Sequence, residues 1–256
     1  SLYKPKFIFK TPDNIKEILS YSFYIILAGS ASGILLDIDK FMIPQIEQIA
    51  EVAYYAVGIY IASVIAIPSR AMQQIINPLT AKELNNNNLK EVSSLYKKSS
   101  ITLLITGGLL FLLINLNIND LYAVINKPEY AVGGMIVLMI SIAELYKLAL
   151  GTNGAILTNS KHYRVFFYFS IVMALSVIFL NRWLIQIMGI NSAALETLIV
   201  VLTFSTFKVI YIQLKLDMQP FTKKTVLVLA IISILFFAFY FNYREFSYEF
   251  TPKFQL

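Results

Sequence analysis

The chain has 256 residues, of which 57% are hydrophobic and only 14% charged, and its mean hydropathy is +0.67. A soluble domain carries about 25% charged residues, so the composition is that of an integral membrane protein. The net charge of +6 sits between apolar blocks, the mark of membrane orientation and not of nucleic-acid binding, while zero Cys and one His leave no basis for a thiol nucleophile, a disulfide frame or a Cys/His metal site.

Residues 1–17 form a polar, basic cytoplasmic linker with Lys4, Lys6, Lys10 and Lys16. No signal-peptide pattern follows Ser1, and the chain reads as a piece of a longer one. Thr11-Pro12-Asp13-Asn14 supplies the chemistry of a helix start. The first apolar block, 18–36, is long enough to span a bilayer. It contains Gly29 and Gly33, a small-xxx-small spacing suited to close helix packing. Asp37, Asp39 and Lys40 follow at its far end.

The stretch Ala50–Leu84 predicts a second span, 52–80, with a polar tail. In it Arg70, Gln73, Gln74 and Asn77 fall at i, i+3, i+4 and i+7, with Ser63 one heptad earlier. At helical spacing they share one face, which suits a wet cavity and not lipid. Asn85–Asn88 is a polar break that caps the next helix. Leu89–Lys98 predicts a short amphipathic helix at the interface, separate from a third span at 100–116. The fourth span, 130–159, carries a second stripe of polar or small residues: Ser141, Glu144, Lys147, Gly151, Gly154 and Thr158. The fifth, 166–184, turns tightly at Met188–Asn191 into the sixth, 192–214. A basic cytoplasmic loop, 215–225, leads to a seventh span, 226–241, and an external tail, 242–256.

With Arg70, Lys147 and Lys208 set aside because they lie within spans, thirteen Lys and Arg residues fall on one side and five on the other. The asymmetry puts the N-terminus in the cytoplasm.

Four stretches read together suggest a family. They are Asp39-Lys40-Phe41-Met42-Ile43, Val57-Gly58-Ile59-Tyr60, Pro68 with Pro78-Leu79-Thr80-Ala81-Lys82, and Gly189-Ile190-Asn191-Ser192-Ala193-Ala194-Leu195-Glu196-Thr197. Their order and spacing resemble the C-terminal half of bacterial polysaccharide flippases. These belong to the superfamily that also contains lipid II flippases and multidrug and toxin extrusion (MATE) transporters. Ser192 stands where the family turn often has Gly, and Glu196 where a small residue is usual.

The resemblance implies an all-α, MATE-like helical bundle, here the second lobe of about six spanning helices plus one further helix. It implies a transporter in the bacterial inner membrane and not an enzyme. Its substrate would be an undecaprenyl-pyrophosphate-linked oligosaccharide, moved to the outer leaflet by alternating access for surface polysaccharide export. The partners would be that lipid, the membrane and an N-terminal lobe of the same chain. No cofactor, metal or nucleic acid is implied. A MATE-type cation-coupled multidrug antiporter is the alternative; it requires essential acids in the cavity. A membrane-embedded transferase requires a catalytic His or paired acids on a large loop, and the loops here are short.

A pyrophosphate crossing a low-dielectric space requires cations on a cavity face. The candidates are Arg70, Gln73, Gln74 and Asn77 from one stripe and Glu144 and Lys147 from the other. Arg70 lies about 27 Å along its span, near the cytoplasmic interface, where snorkelling accounts for an arginine equally well. Glu144 and Lys147 also read as an i,i+3 pair that neutralises itself. Asp37 and Asp39 are candidate cation-coupling carboxylates; the plainer reading is an interfacial loop. Glu196 and Lys208, twelve residues apart, do not share a face and are expected near opposite ends of their helix.

Overall fold

The computed structural model describes residues 13–45, 49–124 and 128–249. Every regular element among them is helical. The helices are α1 (Ile15–Met42), α2 (Ile49–Ser63), α3 (Ile67–Asn85), α4 (Leu89–Leu116), α5 (Ile118–Val124), α6 (Gly134–Ala149), α7 (Asn153–Thr158), α8 (Tyr163–Met188), α9 (Ile190–Leu216) and α10 (Lys223–Glu249). Five stretches are long and apolar enough to cross a membrane: Val52–Asn85, Leu89–Leu116, Tyr163–Ile187, Ile190–Leu216 and Lys223–Tyr240. The chain is thus an all-α, multi-pass membrane protein by length and composition.

The two other expected spans fall on α1 and on α6–α7. In α1 the side chains of residues 32–37 lie outside the described residues. The region 130–159 is not one helix. A 3₁₀ turn precedes α6, and the chain breaks between α6 and α7 at Leu150–Thr152. Gly151 has φ +61°, and a Cβ there would stand 3.0 Å from both the Ser100 nitrogen and the Ser99 Oγ. Ser100 Oγ donates to the Ala149 carbonyl at 2.5 Å, and Ser99 Oγ lies 3.0 Å from Thr152 Oγ1. Two serines of α4 therefore satisfy polar groups that the break sets free, as a buried break in a membrane protein requires.

Three other expectations are corrected. Leu89–Lys98 is not a separate interfacial helix; it is the first third of α4, whose N-cap Asn88 accepts from the Glu91 N–H. Buried Ser99 and Ser100 bridge what looked like a boundary because their hydroxyls bond inward. Asp37–Lys40 is not a loop, since α1 runs on to Met42. The helix of the last span continues to Glu249, across part of the expected tail. The expected start of α1 after Asn14, the cap at Asn88 and the turn between α8 and α9 are all found. That turn is a single residue, Gly189, at φ +66° and ψ −156°, a conformation open to glycine alone.

The core lies among α2, α4, α6 and α9, where Tyr55, Ile65, Leu103, Leu104, Ile136, Val137, Ala193 and Ala194 are buried. On one side α8 packs between α1 and α9; on the other, α10 lies against α4. Among the described side chains of α1 the buried small residues are Ala28 and Ala31; Gly29 has nothing within 4 Å of its missing Cβ. Leu109 and Leu113 on α4, Phe179 and Trp183 on α8, and Leu227, Ile234 and Phe237 on α10 are exposed. Large apolar side chains exposed on these three helices suit lipid as solvent. The α2–α3 unit is 34 residues long, about 51 Å, more than the hydrocarbon core of about 30 Å, so its polar end projects beyond it.

Candidate functional site

Two polar regions occupy opposite ends of this apolar bundle. The first is a cavity of about 600 Å³ at the basic end. The α2–α3 unit contributes Ser63, Ser69, Arg70, Gln73 and Asn77 to its wall. The α6–α7 break contributes Glu144, Lys147, Gly151, Asn153, Gly154 and Thr158, and α8 and α9 add Phe166, Ser205 and Lys208. The two stripes seen in the sequence thus face each other across one space. Gln74 is exposed and does not line it, because it turns away from the Arg70–Gln73–Asn77 edge.

The stripe on the second helix survives its one irregularity. A 3₁₀ turn at Val64–Ala66 separates α2 from α3 just before Pro68, whose missing N–H cannot continue the ladder. Below it, Gln73 Nε2 donates to Ser69 Oγ at 3.0 Å, one helical turn away.

The three cations of the cavity differ in their surroundings. Lys147 donates to Glu144 Oε1 at 2.6 Å, so the i,i+3 pair is formed, and both members line the cavity. Arg70 is exposed and makes no ion pair or hydrogen bond among the described residues. Lys208 is partly buried, with Nζ 5.2 Å from the centroid of the Phe166 ring, a cation–π contact. It makes no ion pair among the described residues, and Lys147 is near enough for the two charges to repel. The bond between Tyr146 Oη and Thr206 Oγ1, 2.6 Å long, fixes α6 against α9 beside these lysines. Three cations against one carboxylate give the cavity wall a net positive charge, which favours anions, and amide and hydroxyl groups lie between them.

Lys208 was missed as a site residue in the sequence. Its signal was Ser205 one turn earlier, a polar i,i+3 pair in an apolar helix. That pair is too short to mark a face without knowing which side of α9 meets α6.

The second region surrounds Asp39. This residue is 2% exposed and accepts hydrogen bonds from Tyr55 Oη on α2, Asn181 Nδ2 on α8 and, at 3.4 Å, Thr197 Oγ1 on α9. It is a buried junction of four helices, not an interfacial acid. The side chain of its companion Asp37 lies outside the described residues. Glu196 lies in the same region, fully buried, and its charge acts on Asp39 and Tyr55. The two regions are connected by continuous helix. From Glu196 to Lys208 is twelve residues of α9, about 18 Å.

Comparison with family models, with curated proteins and with solved structures finds no match. The functional reading therefore rests on the geometry of these two regions and on the sequence resemblance.

Proposed function

We propose that this chain is the cavity-bearing half of a flippase for lipid-linked oligosaccharide in the bacterial inner membrane. In this reading it moves an undecaprenyl-pyrophosphate-linked glycan from the cytoplasmic to the outer leaflet by alternating access. The observation that supports it is the cavity at the basic end, where Arg70, Lys147 and Lys208 converge inside an otherwise apolar bundle. An amphipathic substrate needs such an arrangement: fixed cations for the pyrophosphate, amides and hydroxyls for sugars, and lipid alongside for the polyprenyl chain.

The chemistry assigns different work to the three cations. Arg70 stands exposed on the wall and meets the anion first, its planar fork matching two phosphate oxygens. Lys208 lies deeper and has no competing carboxylate. Lys147 has to exchange Glu144 for phosphate, which makes it a switchable contact. Gln73, Asn77, Asn153 and Thr158 are within the same wall for the glycan. With the basic end in the cytoplasm, the cavity opens to the leaflet where the substrate is made. A MATE-type antiporter of cationic drugs fits less well, because like charges line the cavity.

The test is binding of undecaprenyl pyrophosphate to the purified full-length protein. A charge-assisted hydrogen bond contributes about 1.5–3 kcal/mol, so Lys208→Ala is expected to weaken binding roughly 10- to 150-fold. Lys208→Arg should retain most of it, and Arg70→Ala should slow association. In cells, Lys208→Ala should lose surface polysaccharide while the protein still inserts. Equal binding by wild type and Lys208→Ala would overturn the site.

A further inference from the structure

At the end of the bundle away from the cavity, several buried acceptor groups lie close together. Asp39 already takes hydrogen bonds from Tyr55, Asn181 and Thr197. Beside it, neither carboxyl oxygen of the fully buried Glu196 takes a well-formed hydrogen bond, and neither does the amide oxygen of Asn181; the hydroxyl near Glu196, that of Thr197, is shared with Asp39. The amide is oriented by its nitrogen, which donates to Asp39. Three buried acceptor oxygens, both of Glu196 and that of Asn181, thus lack a well-formed hydrogen bond among the described residues.

Among the described residues, the titratable groups that act with Glu196 are Asp39 on α1 and Tyr55 on α2, the hydroxyl is that of Thr197 on α9 itself, and Asn181 on α8 holds the same Asp39. The helix α6 runs parallel to α9 with Tyr146 level with Thr206, which places apolar, buried Ile136 and Val137 at this height. Arg182, next to Asn181 in sequence, is exposed. Among the described residues no Lys, Arg or His acts on Glu196.

A carboxylate whose nearby hydroxyl is shared with a second acid, in a low dielectric, is strongly disfavoured as the charged form. A proton on either oxygen removes the charge and supplies a donor. We propose that Glu196 is a proton-binding group whose occupancy sets how the Asp39 end of α1 meets α9. The proton comes from water at the Gly189 end of α9, seven residues and about 10 Å away, and returns to water when the helices part. Its loss leaves like charges on α1 and α9. The helix α9 also carries Lys208, and the α2–α3 unit carries both Tyr55 and Arg70, so movement at the proton site is transmitted to the cavity walls. The coupling to transport rests on the flippase reading; the proton site does not.

Infrared difference spectra of the purified full-length protein, taken between acid and alkaline buffer, read the carbonyl stretch of a protonated carboxyl group. Wild type is expected to show a band that disappears as pH rises. Glu196→Gln, which imitates the protonated side chain in size and neutrality, should lose it, whereas Asp39→Asn and Glu144→Gln should keep it. A band that survives Glu196→Gln, or is lost in Asp39→Asn alone, overturns the assignment whether or not the other variant folds. Displacement of the band by sodium chloride, but not choline chloride, at fixed pH would make this a sodium site and also overturn it. In proteoliposomes an imposed pH gradient should speed flipping of undecaprenyl pyrophosphate several-fold in wild type and leave Glu196→Gln unaffected. Gradient-driven acceleration that persists in Glu196→Gln would remove the coupling. Failure of wild type to flip the lipid at all would sink the flippase reading, with the infrared band still deciding the proton site.

Discussion

At Gly151 two constraints act on one residue. The backbone is left-handed, at φ +61°, and the space a Cβ would fill is taken by Ser99 and Ser100 of α4. Gly151→Ala is therefore expected to cost about 1–3 kcal/mol and to lower the unfolding temperature in detergent. Gly29 is the opposite case: it lies mid-helix with nothing within 4 Å of its Cβ position. Gly29→Ala should be neutral or stabilising by up to about 1 kcal/mol. Thermal unfolding of both variants checks the contrast; equal destabilisation would mean that the α6–α7 break does not depend on Gly151. Both glycines are visible in the sequence, and both suggest either a bend or close packing. Only the contact with α4 tells them apart.

Among the elements, α1 has the least obvious attachment. It packs along α8, and near its C-terminal end the carboxylate of Asp39 ties it to α2, α8 and α9. Tyr55→Phe removes one donor to that carboxylate and leaves it under-satisfied in a buried place. The expected loss is about 1.5–3 kcal/mol, read as a lower unfolding temperature. Faster proteolysis at the α1–α2 connection should accompany it if α1 detaches first. An unchanged unfolding temperature would mean that α8 alone holds α1. Helical periodicity could not reveal this junction, because its members lie on four helices and up to 158 residues apart in the chain.

On the scale of the whole molecule, the division into a cation-lined cavity wall, an acidic junction and an apolar exterior is directly accessible to labelling. These 256 residues hold no Cys, so a single cysteine introduced here is unique within them. Asn77→Cys and Asn153→Cys are expected to react with a membrane-impermeant maleimide from the cytoplasmic side, and an anionic ligand such as pyrophosphate should slow the reaction. Leu109→Cys and Phe179→Cys, on the outer apolar faces, should react poorly from either side. Labelling of Asn77→Cys and Asn153→Cys from the outside would reverse the orientation drawn from the basic residues.

The sequence by itself determined the solvent of this protein and the nature of its elements, because apolar blocks of bilayer length leave the backbone no alternative to helix. It also determined the two cavity stripes, since residues three and four apart on one helix share a face whatever surrounds it. Tertiary structure decided that the stripes meet, that Lys208 joins them while Gln74 does not, and that Asp39 and Glu196 lie together in the interior. Those facts depend on how helices rotate and pack against one another. In a membrane most helix faces are apolar, so hydrophobic pattern alone does not distinguish a face turned to lipid from one turned to a neighbouring helix.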